Sequence, residues 1–218
     1  MAVHSRTGSA VFEYLHNLNF VPTDLYLAGI GVSADDALQF QKNWPAAEIV
    51  GFEPNPYSFS GLVGTFPGTL LNEALSDKDE VVDLHYRYSW KNGSSLYKPN
   101  EKRWTNSKIN AHPLDSYSPS GDSVLLWLDV EGHELKVLQG ATAFLTHVKA
   151  INIEMTGRPR AEGWASPLDV HKFLRRHGFY QVYTHTIRTC RGQFDAIYVR
   201  RELVDPAMCS CLETLFSL

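Results

Sequence analysis

The chain has few cysteines and no surplus of positive charge. Its three cysteines, in 218 residues, are Cys190, Cys209 and Cys211. A sparse, odd set of this kind argues against a disulfide framework and against a zinc site. Lysine and arginine number 20 against 24 aspartate and glutamate residues, for a formal net charge of −4. Since nucleic-acid binding calls for a basic surface, this balance argues against nucleic acid as the main partner.

Long apolar runs are also absent. No stretch approaches the roughly 20 residues that span a bilayer, and the segment 1–8 lacks the apolar core of a signal peptide. We therefore expect no membrane span and a reducing, cytoplasmic location. The apolar content of 44% is enough to fill a core, and 218 residues suit one domain of ordinary size.

Short apolar strands alternate with amphipathic helices along most of the chain. Strands are predicted at about 24–28, 48–53, 70–75, 123–130 and 148–155. This alternation predicts an α/β fold with a doubly wound, mostly parallel sheet. Two final strands, at about 179–185 and 194–201, are close enough in sequence to pair, which predicts an antiparallel edge strand. We divide the chain into an N-terminal helical segment (1–22), the main domain (23–203) and a C-terminal tail (204–218).

Helix starts are marked by capping residues. Asn55-Pro56 and Ser166-Pro167 each combine an N-cap residue with a proline at the first helical position. Ser33 and Asp36 form a pair like a capping box. A first amphipathic helix is predicted over 9–19.

A polar segment interrupts the alternation. Residues 81–88 alternate apolar and polar side chains, which predicts a half-exposed strand. Residues 90–111 then read as a long polar loop that closes over an acceptor. The chain's aromatic residues in and near this region are either platforms for a sugar or apolar acceptor, or simple anchors: Trp90, Tyr97, Trp104 and Trp164.

The most informative stretch is the strand that ends at Asp129. It leads through Glu131, Gly132 and His133 into an amphipathic helix. Ligands of open α/β sheets bind beyond the carboxyl ends of the strands, and ionisable groups gathered there are costly unless they are used.

A second signal lies upstream. Gly29 and Gly31 follow the first strand, with Ser33 just behind, and the second strand ends at Glu53. Glycines let the backbone approach a nucleoside cofactor, and a strand-end carboxylate accepts hydrogen bonds from its ribose. The spacing suits either a dinucleotide or S-adenosylmethionine.

Together these motifs resemble the FkbM-type methyltransferases, which use S-adenosylmethionine. The stretches that carry the resemblance are Gly51-Phe52-Glu53-Pro54-Asn55-Pro56, Leu71-Asn72-Glu73-Ala74-Leu75-Ser76-Asp77, Gly93-Ser94-Ser95-Leu96, Pro113-Leu114-Asp115-Ser116-Tyr117 and Leu128-Asp129-Val130-Glu131-Gly132-His133-Glu134. They continue through Val137-Leu138-Gln139-Gly140-Ala141 to Ile153-Glu154, in family order, and cover about residues 23–200.

The resemblance implies a Rossmann-like, class I methyltransferase fold and methylation of a hydroxyl. The implied acceptor is a sugar or a glycosylated or polyketide-like small molecule; the oligomeric state stays open. The implied cofactor residues are Gly29, Gly31, Ser33, Glu53, Pro54, Ala74, Leu75 and Asp129. The implied catalytic residues are Asp129, Glu131, His133 and Glu154.

Several roles stay open at this stage. Asp129 could contact the cofactor's amino group, bind a metal, orient the acceptor or cap the next helix. His133 could be a general base, or it could fix the turn together with Glu131. Glu134 is expected at the helix surface or as a complement to the helix dipole. Glu154 can reach Asp129, but a divalent metal is not favoured because too few oxygen ligands can be named.

The first motif departs from the family pattern. Tyr26 or Leu27 stands where an acid is usual, and the glycines are compressed to Gly29-Ile30-Gly31. This motivates an alternative function, a catalytically degenerate binding module on the same scaffold. A dinucleotide-dependent dehydrogenase is disfavoured by the missing third glycine and by the Asp-Val-Glu-Gly-His-Glu motif.

Overall fold

A computed structural model describes residues 4–87, 90–98, 104–158, 161–186 and 192–204. Its helices are α1 (His4–Asn17), α2 (Asp35–Asn43), α3 (Pro56–Leu62), α4 (Glu134–Gln139) and α5 (Pro167–Arg176). Its strands are β1 (Asp24–Ala28), β2 (Glu48–Phe52), β3 (Thr69–Leu71), β4 (Ala74–Leu75), β5 (Glu80–Arg87), β6 (Trp90–Ser95), β7 (Thr105–His112), β8 (Val124–Leu128), β9 (Val148–Thr156), β10 (Phe179–Thr186) and β11 (Gln193–Arg200). The three cysteines lie outside the described residues, as does the tail beyond 204.

The main sheet has seven strands in the order β10-β11-β9-β8-β1-β2-β3. The pairs β3–β2, β2–β1, β1–β8 and β8–β9 are parallel, and β11 runs antiparallel to both β9 and β10. The predicted α/β fold with an antiparallel edge is therefore confirmed. None of the helices within the described ranges has the length and apolar character needed to cross a bilayer.

Both faces of the main sheet are buried. Side chains of successive strand residues point to opposite faces, so neighbouring residues enter different cores. Tyr26 packs in the core that contains residues of α4 and α5, whereas Leu25 and Leu27 pack with residues of α1 and α2. The strands consequently read as continuous apolar runs, which is why they could be predicted.

Two of the three predicted helix starts have the expected caps. The Asn55 side chain accepts a hydrogen bond from the Tyr57 amide at 3.1 Å, and the Ser166 hydroxyl accepts one from Asp169 at 3.1 Å. The capping box at Ser33 and Asp36 was wrong. Helix α2 begins at Asp35, and its N-cap residue, Ala34, makes no side-chain cap bond. The Ser33 hydroxyl instead accepts from the Asp35 amide at 3.3 Å.

A second sheet replaces the predicted loop. Its order is β4-β7-β5-β6, with β5 antiparallel to both β6 and β7. The half-exposed strand over 81–88 is confirmed as β5, but the long loop over 90–111 was wrong, because β6 and β7 occupy most of it; residues 99–103 lie outside the described residues. These strands carry few apolar residues, so only their pairing with β5 and, for β7, with β4 reveals them.

The predicted third strand, at 70–75, is two strands. Residues Thr69–Leu71 pair with β2 in the main sheet, whereas Ala74 and Leu75 pair with β7 in the second sheet. The chain therefore passes from one sheet to the other at Asn72 and Glu73. This passage brings the second sheet to the carboxyl ends of the main strands.

Candidate active site

Three neighbouring strands of the main sheet end level with one another. Ala28 of β1 is in register with Phe52 of β2 on one side and with Leu128 of β8 on the other. The residues that follow these strand ends are Gly29, Glu53 and Asp129. The chain continues from β1 to β2 on one side, while β8 lies on the other, so a crevice opens at this point of the sheet.

Gly29 sits at the bottom of this crevice. Its amide donates to the Phe52 carbonyl at 3.0 Å, and the Asp129 amide donates to the Ala28 carbonyl at 3.0 Å. Its φ of 81° lies in the left-handed region, and a Cβ at this position would overlap the Asp129 carbonyl oxygen. Only glycine allows the two backbone segments to approach so closely.

Glu53 is buried and held by the backbone of the glycine turn. Its side chain is 2% exposed, and its carboxylate accepts hydrogen bonds from the amides of Gly31 at 2.6 Å and Asn55 at 2.8 Å. Burial raises the pKa of Glu53 to about 7, although these backbone bonds act in the opposite direction. A carboxylate has about four acceptor positions, so the group can still accept from a ligand.

Other motif residues hold the strand ends in place. The Asn72 side chain donates to the carbonyls of Glu53 at 2.8 Å and Pro54 at 3.3 Å. The Tyr117 hydroxyl donates to Glu73 at 2.6 Å. Ala74 and Leu75 follow directly and are buried, and Leu75 packs in the same core as Phe52. Ser33, by contrast, is exposed at the start of α2.

Asp129, Glu131 and Glu154 converge beside the crevice. Each offers a carboxylate oxygen, and these three atoms lie within 4.8 Å of one another. We call them the acidic triad. Glu154 is 8% exposed and accepts a hydrogen bond from the Gln193 amide group at 3.0 Å. Burial, together with Asp129 and Glu131, raises the pKa of Glu154 far above its usual range. The structure thus brings Glu154 to Asp129, as the adjacent strands led us to expect.

Glu131 reaches the acidic triad from a turn with unusual backbone geometry. Its φ is 50°, which is uncommon for a residue with a side chain. Its carbonyl accepts a hydrogen bond from the Ser95 hydroxyl of β6 at 2.9 Å. The second sheet therefore fixes the position of a triad residue.

His133 does not join the triad. Among the described residues, three side chains lie close enough to share a metal ion, and His133 is not one of them. Its Nε2 lies 3.2 Å from the Ser76 hydroxyl, and its ring centroid lies 5.4 Å from that of Tyr97. Burial lowers the pKa of His133 to about 4. The ring is therefore neutral near pH 7 and is directed at the β4 segment.

Glu134 is not a surface residue, so that prediction was wrong. It is 4% exposed, and its carboxylate accepts from the Gly132 amide at 3.0 Å. Burial raises its pKa to about 8. Glu134 lies in the first turn of α4, the position that the other expected role, a complement to the helix dipole, requires.

Two aromatic residues flank the turn at 131–133. A Cβ at Gly132 would overlap the Trp164 indole, and one at Gly163 would press on the Tyr97 ring. Both aromatics therefore anchor this region, whereas the side chain of Trp90 is not among those described. A small pocket next to them is lined by residues that include Glu131, Glu134, Glu154, Trp164 and Gln193.

Sequence reasoning missed three polar residues around the triad. Ser95 was inside a quoted motif but received no role. Gln193 and Asp195 alternate with apolar residues on β11, and Asp195 is in register with Glu154. Polar residues at successive inward positions of a buried strand were the signal that could have revealed them.

The strand order and the crevice define a class I methyltransferase fold. The chain belongs to the FkbM methyltransferase family, because the family model described as "Methyltransferase FkbM domain" matches its residues 26–180. It therefore has the family and the fold of S-adenosylmethionine-dependent methyltransferases. No curated protein matches the chain.

Solved structures share the fold at low sequence identity. Magnesium protoporphyrin IX methyltransferase (ChlM) from Synechocystis PCC 6803 with bound SAM is 14% identical, with a TM-score of 0.53 over 90% of this chain and 79% of the other. Precorrin-6y C5,15-methyltransferase from Geobacter metallireducens GS-15 is 11% identical, with a TM-score of 0.53 over 92% and 91% of the two chains. At such identities the likeness is one of fold alone.

Proposed function

We propose that this protein transfers the methyl group of S-adenosylmethionine to a hydroxyl of a small molecule or glycan. The acceptors that the family resemblance suggests are sugars and glycosylated or polyketide-like molecules. The observation that carries the proposal is that Glu53 and the acidic triad border the same crevice, on either side of Gly29. The side with Glu53 suits the cofactor, and the side with the acidic triad suits an acceptor.

The cofactor side is built from the glycine turn and the end of β2. In this proposal the ribose hydroxyls donate to Glu53, while the backbone of Gly29 and Gly31 lies against the sugar. Pro54, Ala74 and Leu75 flank the adenine. Asp129, on the other side of β1 from Glu53, faces the methionine part and its sulfonium. Ser33, which is exposed, contacts the cofactor only at its edge.

The acceptor side is built from the acidic triad. The acceptor oxygen attacks the methyl carbon in line, so that a carbon–oxygen bond forms as the carbon–sulfur bond breaks. The sulfonium becomes a neutral thioether, and the hydroxyl proton passes to solvent. Positioning supplies much of the rate of such a reaction, and the triad lies where it can orient the acceptor hydroxyl. His133 contacts Ser76 rather than the triad, and in this way it supports the turn at residues 131–133.

One observation favours the alternative function, a binding module without catalysis. The position of the missing first-motif acid is occupied by core residues. The Tyr26 hydroxyl donates to the Ser118 carbonyl at 3.1 Å, and Leu27 packs in the opposite core. Neither side chain offers a polar group to the amino end of a cofactor. Asp129 is then the nearest carboxylate that can do so.

A transfer assay tests the proposal. The protein is incubated with S-adenosylmethionine carrying a labelled methyl group and with a panel of hydroxylated sugars and glycosides. Label in an acceptor, joined through an ether bond, and formation of the demethylated cofactor are the expected result. Cofactor binding without transfer to any member of the panel favours the binding module. Label on nitrogen or carbon instead of oxygen contradicts the proposed reaction.

A further inference from the structure

The acidic triad concentrates negative charge in a partly buried place. The triad oxygens lie within 4.8 Å of one another, and Glu154 is 8% exposed. The neighbouring charges that raise the pKa of Glu154 belong to Asp129, Glu131 and Asp195, all of them acidic. Buried carboxylates of this kind need either protons or a cation.

A second observation points to an absent ligand. Asp195 is 6% exposed, and its Oδ2 has no hydrogen-bond partner among the described residues. It is in direct register with Glu154, so both side chains lie on the same face of the sheet. Asn152, two residues before Glu154, shares that face. It is 1% exposed, and neither atom of its side-chain amide has a partner within the described ranges.

These unpaired groups are costly as they stand. A buried polar group that lacks a hydrogen bond has lost its hydration without gaining a partner, which destabilises the folded state. An ion that holds ordered water would supply partners for Asp195 and for the Asn152 carbonyl oxygen, since a metal-bound water donates two hydrogen bonds. Asp195 accepts such bonds, and Asn152 can accept them through its carbonyl oxygen.

We propose that Asp129, Glu131 and Glu154 bind a hard divalent cation of the Mg²⁺ or Mn²⁺ type, with Asp195 and Asn152 holding its water. Carboxylate oxygens are the ligands these ions prefer, and three of them leave room for water or substrate oxygens in an octahedral shell. Gln193, which donates to Glu154 at 3.0 Å, orients one of the ligands. Ser95 orients another through the Glu131 carbonyl.

The cation gives the site a preference among acceptors. This step rests on the proposed function. Two neighbouring oxygens of an acceptor, as in a vicinal diol, can replace two metal-bound waters. The ion then lowers the pKa of the reacting hydroxyl and fixes its orientation toward the methyl group. The preferred substrates are therefore chelating diols, rather than isolated hydroxyls.

Cation binding is tested without cofactor or acceptor, so that it does not depend on methyl transfer. The full chain is freed of metal with a chelator, dialysed and titrated with Mn²⁺ in a calorimeter. We expect one saturable site, and we expect Mg²⁺ to compete for it. Absence of saturable Mn²⁺ binding by the unaltered protein overturns the proposal, and this result needs no variant.

Near-isosteric variants locate the ion. Asp129→Asn and Glu154→Gln should each weaken Mn²⁺ binding at least tenfold. Asp122→Asn is the matched control, because Asp122 is an exposed carboxylate paired with His147 at 2.5 Å, remote from the triad in the fold. If both triad variants bind Mn²⁺ as tightly as the unaltered protein, the ion lies elsewhere and the proposal fails. If either variant does not fold, Glu131→Gln takes its place.

The outcomes for the cation and for the proposed function are distinguishable. Mn²⁺ binding at the triad in a protein that transfers no methyl group leaves the cation site intact and removes the reaction. Methyl transfer that survives in excess chelator, in a protein that binds no Mn²⁺, leaves the reaction intact and removes the cation site. Faster transfer to a vicinal diol than to its mono-deoxy analogue supports the role of the cation in acceptor choice.

Discussion

The Ser95 hydroxyl donates a hydrogen bond to the Glu131 carbonyl at 2.9 Å, and this bond joins the second sheet to the site. Glu131 has a φ of 50°, so its backbone needs support from outside the turn. Ser95 is itself buried and also accepts from the Tyr97 amide at 3.2 Å. It acts as a positioning residue for the acidic triad.

Ser95→Ala should therefore lower turnover while it leaves cofactor affinity intact. A lost hydrogen bond of this kind is worth about 1 kcal/mol, or about fivefold in rate. The measurement is kcat at saturating S-adenosylmethionine, beside its dissociation constant. Ser94→Ala is the neighbouring control, and Ser95→Thr should restore part of the rate. Equal loss of cofactor affinity and turnover would mean that Ser95 serves general stability.

Gly29→Ala should destabilise the fold by roughly 2 kcal/mol or more, because alanine meets both a left-handed backbone and the Asp129 carbonyl. Chemical denaturation gives the free energy of unfolding. Gly61→Ala is the matched control. Gly61 lies in α3 with open space around it, and alanine there should be neutral or stabilising by about 0.5–1 kcal/mol. Similar effects of both changes would contradict the close approach at Gly29.

Glu53→Ala should weaken S-adenosylmethionine binding at least tenfold, since a hydrogen bond to a charged group is worth about 1.5–3 kcal/mol. Calorimetric titration measures it, with the fold checked by circular dichroism. Asn55, which donates to the same carboxylate, would lose one partner in this variant. Unchanged affinity would remove Glu53 from the cofactor site.

The affinity for the cofactor should also depend on pH through Glu53. The ribose hydroxyls donate to the ionised carboxylate, whose pKa in the free protein is about 7. Below that pH the proton competes with the cofactor, so affinity should fall by about tenfold for each further pH unit, and it should level off above it. Glu53→Gln removes the titrating group and should flatten this part of the profile. Equal pH profiles in the two proteins would contradict the assignment.

Asp115 belongs to a family motif, yet its contacts are structural. Its carboxylate accepts from the amides of Ala143 at 3.0 Å and Phe144 at 2.8 Å. Asp115→Ala should lower the free energy of unfolding by about 1–2 kcal/mol, as the loss of a cap does, and leave cofactor affinity unchanged. Denaturant titration and calorimetry check the two parts. A loss of affinity in a stable variant would assign Asp115 to the site.

The parts of the fold that could be predicted follow from local pattern. The runs that end at Ala28, Phe52 and Leu128 are buried on both faces, so each reads as a continuous apolar strand whatever its partners are. Gly29, Glu53 and Asp129 could be assigned to one crevice because they follow these strands directly.

The parts that were missed depend on partners far along the chain. Strands β6 and β7 are polar, and they form strands through pairing with β5 and, for β7, also with β4. The direction of His133 depends on Ser76, which lies 57 positions away in the sequence and directly follows β4 of the second sheet. Burial of Glu134 likewise follows from tertiary packing, because an acid in the first turn of a helix usually faces water.

Calorimetric titration of the full chain with S-adenosylmethionine, and separately with NAD, decides whether the crevice at Gly29 and Glu53 is a methyltransferase cofactor site. We expect one S-adenosylmethionine per chain and no measurable binding of NAD, because the glycine turn and Glu53 belong to a methyltransferase crevice. Binding of NAD in place of S-adenosylmethionine, or binding of neither by the folded protein, would contradict this expectation.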